Sequence, residues 1–299
     1  MPDSDTPVET VDVDIRAWVE SARADPQLFR DRQVTEIVLA AIGLSPSLHQ
    51  SLVLKGGALM ALAFGSRRVT GDVDFSATVQ PDGFDGLLRE ELDAKLPIAA
   101  IRLGYLDLVC RVQGVKRRPR PALFEGAEFP ALELRIGSAE RGSKQEAALA
   151  EGRAGRILLV EISFRDQVYA FQELNLSNAD VGVQAFTLEE LIAEKLRALL
   201  QQPIRNRARR QDVYDIAFLL DNNPVDDGVR QTMLATLVEK CRTRGIEPNR
   251  HSIDDPEIAA RAQRDWATLR LELAELPLFE ERFAKVRDLY HSLPWPADQ

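Results

Sequence analysis

Residues 54–77 read LKGGALMALAFGSRRVTGDVDFSA, and this stretch decides which fold the sequence predicts. The short β-rich segment 51–55 indicates a strand, Gly56-Gly57 a tight turn, and 58–64, which is rich in helix formers, a helix. A loop with several helix- and strand-breaking residues, 65–71, leads into 72–77, where polar and apolar residues alternate as in a half-buried strand. The stretch therefore predicts strand, turn, helix and second strand.

Two aspartates lie on the second of these strands. Residues i and i+2 of a strand point to the same face, so we expect Asp72 and Asp74 to project together while Val73 and Phe75 face the other side. Two like charges so close are unfavourable unless they share a proton or a cation, and their oxygen atoms suit a hard ion such as Mg²⁺. A DxD tripeptide on its own is more often an exposed edge strand or a turn, so its context carries the argument.

That context is the glycine pair. Gly56 and Gly57 end a strand and begin a helix, where free backbone amides and the helix dipole can hold a triphosphate close to the chain. An isolated pair of glycines is usually only a strand-to-helix turn. Here, however, one helix and one loop separate Gly57 from Asp72, which places a phosphate-binding turn beside a metal-binding strand.

Glu161 is the candidate for a third carboxylate. It lies within the apolar run 157–164 (ILLVEISF), and an ionised acid buried there is costly unless it is paired or bound to metal. It would help to bind the metal that activates the attacking hydroxyl, or act as base toward that hydroxyl. The alternative, equally favoured, is a glutamate on the solvent face of a half-exposed strand. Asp166 is a weaker substitute because it lies past the strand end.

The rest of the chain predicts a mixed α/β (α+β) protein with two lobes, 1–183 and 184–299. The first ten residues are predicted to be disordered. Thr187 and Glu190 are typical of a capping box at the start of a helical C-terminal lobe. Periodicity indicates further elements, namely helices at 11–22, 34–44 and 81–96, and strands at 101–112 and 130–136.

Two charged residues of the C-terminal lobe are candidates for the active site. Lys195 lies on the apolar stripe of the helix after Thr187, where a lysine either extends to water or projects into a cleft and binds phosphate; we favour the second. Asp212 lies in the first turn of a later helix, where it either caps the helix or pairs with Lys195 or an arginine. Two arginine-rich stretches, 116–120 and 205–210, are solvated surfaces or contacts for a polyanion.

Composition limits the classes of function. The 299 residues are 45% hydrophobic and carry a net charge of −9, which disfavours a protein that coats nucleic acid non-specifically. Only two cysteines occur, Cys110 and Cys241, without the spacing of a zinc site. The acidic start and the lack of a long apolar run predict a cytoplasmic protein without a membrane segment.

Taken together, the segment 54–77, then VEISFRD, TLEELIAEKLRAL and RRQDVYDIAFLL resemble the AbiEii/AbiGii-type toxins of the nucleotidyltransferase superfamily. The ordered set of motifs is more specific than any one of them. The resemblance implies a DNA-polymerase-β-like nucleotidyltransferase fold, in which a small mixed sheet is flanked by helices and followed by a helical lobe. It also implies an NTP substrate and Mg²⁺, a tRNA 3′ end or another RNA as acceptor, and a possible cognate antitoxin.

Carried over to this chain, the resemblance implies a site built from several short motifs. Two positions depart from the usual pattern: Gln211 stands where an arginine or lysine often precedes the aspartate, and the strand acid is Glu161 rather than aspartate. The implied metal ligands are Asp72, Asp74 and Glu161; the nucleotide contacts are Lys55, Gly56, Gly57, Thr70 and Lys195; and Asp212 supports catalysis.

Two other functions remain open at this stage. The first is a nucleotidyltransferase that modifies a small molecule or a protein hydroxyl, because its active-site motifs would look alike. The second is a catalytically degenerate nucleotide-binding module, which would be expected to lack one of the acids or the lysine; the sequence retains them.

Overall fold

The computed structural model describes residues 8–296, which divide into two compact units. Of the described residues, the first unit holds 8–63 and 70–185, and the second holds 64–69 and 186–296. The segment 64–69 therefore belongs to the unit that the C-terminal residues form. The predicted disorder of the first ten residues concerns mainly residues 1–7, which lie outside the described part of the chain.

The first unit alternates strands and helices along the chain. In order, its elements are β1 (Thr10–Val13), α1 (Ile15–Glu20), α2 (Pro26–Gly43), α3 (Pro46–Ser51), β2 (Leu52–Lys55), α4 (Gly56–Ala63), β3 (Asp72–Ala77), α5 (Phe84–Arg102), β4 (Leu108–Arg118), α6 (Pro121–Phe124), β5 (Ala131–Glu140), α7 (Lys144–Ala150), β6 (Arg156–Ser163), β7 (Phe171–Leu176) and β8 (Val181–Phe186).

The eight strands form one mixed sheet in the order β1-β7-β8-β2-β3-β6-β5-β4. β3 pairs antiparallel with β2 and parallel with β6, and β5 pairs antiparallel with both β6 and β4. The predicted mixed α/β class and the strand–turn–helix–strand of 52–77 are confirmed. β1, β7 and β8 are additional strands that the sequence did not indicate.

The two faces of the sheet differ in burial around β3 and β6. Val73 and Phe75 on β3, and Val160 and Ile162 on β6, are fully buried. Asp72 and Glu161 on the opposite face are exposed, and Asp74 is half-buried. We call this second face the carboxylate face. Successive side chains of a strand point to opposite faces, and here acids alternate with apolar residues. The acids therefore share one face.

Two sequence predictions in the first unit are wrong. Residues 11–22 do not form one helix: β1 pairs in parallel with β7 before Asp14 caps α1. The predicted strand 101–112 begins only at Leu108. The reason is that α5 continues through Pro97 to Arg102, since its buried stripe of leucines and alanines extends past the proline and keeps the helix packed.

Within residues 187–296 the described part of the second unit contains helices and no strand, in agreement with the helical prediction for this part of the chain. The Thr187 hydroxyl accepts from the Glu190 amide at 3.3 Å, as predicted. Oε1 of the Glu190 carboxylate lies 2.7 Å from the Lys240 ammonium. The helices are α8 (Leu188–Leu200), α9 (Gln202–Arg205), α10 (Arg210–Asn222), α11 (Asp227–Arg242), α12 (Pro256–Gln263) and α13 (Phe279–Ser292), with 3₁₀ turns at Ser252–Asp254 and Trp266–Leu271.

Within residues 8–296, none of the helices has both the length and the apolar character that crossing a bilayer requires.

Candidate functional site

The glycine turn brings the backbone against the side chains of β3. α4 begins at Gly56, whose φ of +68° is a left-handed conformation that favours glycine. A Cβ built on Gly56 would lie 2.1 Å from Oδ2 of Asp74, and one built on Gly57 would lie 2.6 Å from Oγ1 of Thr70. Any side chain at either position would therefore displace a carboxylate or a hydroxyl. The glycines are required because the side chains of Asp74 and Thr70 occupy the space that a Cβ would need.

The two aspartates of β3 point to the same face, as predicted. Asp74 is the register partner of Lys55 on β2, so the strand that ends in the glycine turn runs directly beside it. The Thr70 hydroxyl donates to Oδ1 of Asp72 at 2.9 Å, which orients that carboxylate. A hydroxyl, two carboxylates and the first amides of a helix are thus gathered within one unit, and those amides have no partners inside the helix.

Glu161 lies next to Asp74 across β3 and β6, where the two residues are in register. Neighbouring strands are about 4.8 Å apart, and register partners share a face, so both acids lie on the carboxylate face. The premise that Glu161 is buried in an apolar strand is wrong: its side chain is exposed, and burial gives it no need for a partner. Its place on the solvent face was the alternative interpretation of the same sequence pattern.

The row of charges continues to both sides of this pair. Beyond Glu161 stand Glu133 on β5 and Lys116 on β4, each in register with the next. At the other end, the Lys55 ammonium donates to Oγ of Ser163 at 2.8 Å and lies 3.6 Å from Oδ2 of Asp166. Asp166 therefore partners a lysine. Glu133 is a neighbour of the acids that sequence reasoning missed, because only the strand register reveals it.

The carboxylate face offers hard oxygen donors but no assembled metal cage. Within residues 8–296, no group of three or more His, Cys, Asp or Glu side chains is placed so as to hold a metal ion. Mg²⁺, however, is commonly held by one or two carboxylates, with substrate phosphates and water completing its shell. The pair Asp72 and Asp74, with one oxygen of Asp74 against the Gly56 backbone, fits that mode of binding.

In the second unit, Lys195 is the centre of a buried ion cluster. Its ammonium lies 3.0 Å from Oδ1 of Asp212 and 2.7 Å from Oδ2 of Asp215. Arg68 donates to both oxygens of Asp215, at 3.0 and 3.1 Å, and to Glu272 at 2.9 Å. We call these five residues the Lys195 cluster. Lys195 does not extend to water, and the predicted pair of Lys195 with Asp212 is present.

Opposite charges keep the cluster ionised despite its burial. Burial opposes ionisation of Asp215, but the charges of Lys195 and Arg68 outweigh it, and the pKa of this carboxyl lies below its ordinary value. Burial likewise acts to lower the pKa of Lys195, yet Asp215 and Asp212 outweigh it and the pKa is raised. Lys195 is therefore a permanent cation at neutral pH, and two of its three N–H groups are used by the acids.

One oxygen of the cluster lacks a donor. Among the described residues, Oδ2 of Asp212 is buried without a hydrogen bond, and Nη1 of Arg209 lies 3.9 Å from it. A buried oxygen without a hydrogen bond destabilises the protein, unless a bound substrate donates a hydrogen bond to it. Gln211, the departure from the usual motif, donates to both oxygens of Glu272 at 3.1 and 2.9 Å, so it supports the cluster from the side.

A sequence model of the nucleotidyl transferase AbiEii toxin family, of type IV toxin–antitoxin systems, matches residues 38–287. This span contains the glycine turn, the aspartate strand and the Lys195 cluster. The chain belongs to the AbiEii toxin family. Its resemblance to that family and its nucleotidyltransferase class, both predicted from the sequence, are confirmed.

Solved structures share the fold of this AbiEii-family toxin. The nucleotidyltransferase toxin MenT4 (Rv2826c) from Mycobacterium tuberculosis H37Rv is 19% identical and aligns over 95% of this chain and 91% of its own, with a TM-score of 0.54. JHP933 from Helicobacter pylori is 14% identical over 90% of this chain and 92% of its own, with a TM-score of 0.51. Among curated proteins, none matches the chain at a significant level.

The structure places the predicted site residues of this AbiEii-family toxin in two groups. One group lies around β2, β3 and β6 of the first unit, and Lys195 and Asp212 lie in the second. Sequence reasoning missed Arg68, Asp215 and Glu272. Asp215 carried a signal, since it follows Asp212 by three residues and shares its helix face. The residues of the first group are Lys55, Gly56, Gly57, Thr70, Asp72, Asp74 and Glu161.

Proposed function

We propose that this AbiEii-family toxin transfers a nucleotide from an NTP to the 3′ end of an RNA, with tRNA as the preferred acceptor, and so inhibits translation. The observation that carries the proposal is the close approach at Gly56, where the carboxylate of Asp74 lies against the backbone of the first residue of α4. Helix-terminal amides favour phosphate oxygens, and paired carboxylates favour a divalent cation that phosphates also bind. The two requirements of an NTP site are met within a few ångströms.

The phosphates of the NTP lie, in this proposal, over the turn at Gly56 and Gly57. Lys55 ends β2 next to Asp74, and its ammonium is held by Ser163 and Asp166 near the same turn, where it adds a positive charge. The Thr70 hydroxyl, which orients Asp72, is within reach of the same phosphates because it lies against Gly57.

A bound Mg²⁺ would be held by Asp72 and Asp74, and it would supply charge neutralisation on the phosphates. In the reaction, an oxygen of the RNA terminus forms a bond to the α-phosphorus, the bond from that phosphorus to the bridging oxygen breaks, and pyrophosphate leaves. Glu161 accepts the proton of the attacking hydroxyl. Its exposed carboxylate stands in register with Asp74 on the carboxylate face, which suits a base that must meet an incoming acceptor.

The Lys195 cluster lies within the second unit and offers two further groups that suit substrate atoms. The remaining N–H of Lys195 suits a phosphate oxygen, and the unpartnered Oδ2 of Asp212 suits a donor such as a ribose hydroxyl or a base amino group. The rest of the Lys195 cluster holds these two groups in place.

The test is an assay with each of the four NTPs, labelled on the α-phosphate, with Mg²⁺ and either total tRNA, other RNA or a protein extract. We expect label on RNA, and sequencing of the RNA 3′ ends then identifies the acceptor. Asp72→Asn with Asp74→Asn should abolish transfer and leave thermal unfolding unchanged or slightly improved, because the pair repels itself when no metal is bound. The matched control is Asp82→Asn with Asp107→Asn, two exposed acids of the same unit.

Label on protein or on a small molecule, with none on RNA, would refute the choice of acceptor. Full transfer by the Asp72 and Asp74 double variant would refute the site itself. Because the family is that of type IV toxin–antitoxin systems, we also propose that a cognate antitoxin counteracts the activity.

A further inference from the structure

The carboxylate face carries a basic stripe that no step of the proposed transfer uses. It consists of Lys116 and Arg118 on β4 and Arg135 on β5, all exposed. Lys116 is in register with Glu133, which is in register with Glu161, and Arg135 is in register with Leu159, which is in register with Asp72. The stripe therefore lies two to three strands from the aspartates on one continuous surface, roughly 10–14 Å away at about 4.8 Å per strand.

A β-bulge puts the two β4 residues of the stripe on this face. The pairing of β4 with β5 shifts between Val112 and Gly114, so one extra residue is inserted and every later side chain changes face. Without the shift, Arg117 would face the acids. With it, Arg117 lies on the opposite face, where it forms an ion pair with Asp85 at 2.9 Å.

The end of the face beyond the bulge is covered. The side chain of Gln113 bonds the Leu149 carbonyl and the Ala154 amide, both at 3.1 Å, and so ties α7 and the loop after it to the bulge. A Cβ on Gly137 would lie 2.7 Å from Leu149, which shows how closely α7 packs there. The face is thus closed at its Gly137 end, and the open part runs from the aspartates to Lys116.

Two members of the stripe are uncompensated. Within residues 8–296, neither Lys116 nor Arg135 has an ion-pair partner, whereas Arg118 is paired with Glu133. In a chain with a net charge of −9, exposed cations that form no ion pair indicate a surface for a polyanion. Leu159, which is 40% exposed in a central strand between Asp72 and Arg135, adds an apolar contact that suits a base or ribose.

We propose that this stripe is the path of the acceptor RNA, whose single-stranded end crosses β4 and β5 with its phosphates on Lys116 and Arg135 and brings its terminal hydroxyl to Asp74 and Glu161. The inference rests on the proposed function, since it assumes that the acceptor is RNA. It adds where the acceptor lies and which residues bind it before the reaction.

The test uses a fluorescently labelled RNA hairpin with a single-stranded 3′ tail and compares binding over a range of salt concentrations. The variant is Lys116→Gln with Arg135→Gln. The logarithm of the binding constant falls linearly with the logarithm of the salt concentration, and each phosphate contact to a single strand contributes about 0.7 to this slope. Losing two contacts therefore reduces the slope by about 1.4. If variant and wild type bind equally at 1 M salt, the variant binds about 25-fold more weakly than wild type at 0.1 M salt. The KM for RNA rises by the same factor, whereas the KM for NTP and kcat stay unchanged.

The matched control is Arg23→Gln with Arg89→Gln, which removes the same charge from exposed positions of the same unit outside the stripe. It should leave both the slope and the KM at the wild-type values. If the stripe variant binds RNA as tightly as wild type while the wild-type protein does transfer nucleotide to RNA, the path is wrong and the function stands. If the wild-type protein labels protein extract and not RNA, the proposed function fails, and the path fails with it.

Discussion

Replacing Gly56 by alanine tests whether the contact between the glycine turn and Asp74 is needed for transfer. The substitution adds one methyl group at a position with a φ of +68°. It has two separable effects. One is backbone strain, because an L side chain is disfavoured in the left-handed region. The other is displacement of the Asp74 carboxylate.

The size of each effect follows from the geometry. The added Cβ would lie 2.1 Å from Oδ2 of Asp74, and real Cβ atoms do not approach other heavy atoms below 3.0 Å, so the carboxylate must move by about 0.9 Å. A misplacement of about 1 Å in a catalytic group can cost about 100-fold in rate. The strain costs about 1 kcal/mol of folding free energy, which lowers the melting temperature by about 2–4 °C in a unit of this size.

A matched control separates the two effects. Gly65 has the same φ of +68°, but a Cβ there meets nothing within 4 Å. Gly65→Ala should therefore show the same loss of melting temperature with wild-type kcat, whereas Gly56→Ala loses about 100-fold in kcat. The assay is transfer of α-labelled NTP to RNA at saturating substrates, with thermal unfolding in parallel. If the two variants have equal kcat, the position of the Asp74 carboxylate does not control the reaction, and the site derived from it is wrong.

Two further predictions concern stability. Asp215→Asn leaves Lys195 and Arg68 buried with too little negative charge and should lower the free energy of unfolding by about 3–5 kcal/mol. The control, Asp221→Asn on the same helix, breaks only exposed ion pairs and should lower it by about 1 kcal/mol or less. Chemical denaturation measures both free energies, and equal losses would contradict the buried network. Burial raises the pKa of Glu36, so the protonated form stabilises the fold below the ordinary value of 4.5 and this stability is lost as pH rises through the raised pKa. Glu36→Gln should therefore gain stability relative to wild type as the pH rises from 4.5 through the raised pKa, and a difference that does not vary with pH would show that Glu36 keeps an ordinary pKa.

The parts of the fold that the sequence predicted are those set by local chemistry. Residues 52–77 follow from a β-rich run, a glycine pair, helix formers and an alternating strand, and each of these signals acts within a few residues. The N-terminal hydroxyl cap of α8 at Thr187 is local in the same way. By contrast, the ion pair between Glu190 and Lys240 joins two helices, so no pattern within a few residues of either one predicts it.

The charges of the Lys195 cluster show a second limit. Lys195 and Asp212 were identifiable from helix position, and their pairing was predicted. Arg68 was not, because it lies 127 positions before Lys195 in the chain and joins the cluster only through the fold of segment 64–69 into the second unit. Asp215 is fully buried and is held by both cations, so its importance depends on partners that a sequence pattern does not reveal.

The side chains that share the carboxylate face were also not predictable from the sequence, because strand register decides which residues lie there. Within β4, the sequence VKRR carries three basic residues in a row, and any of them is able to face the acids. One inserted residue before Gly114 decides that Lys116 and Arg118 do so and that Arg117 pairs with Asp85 on the other face. Glu133 and Glu161 stand side by side for the same reason, although 28 positions separate them in the chain.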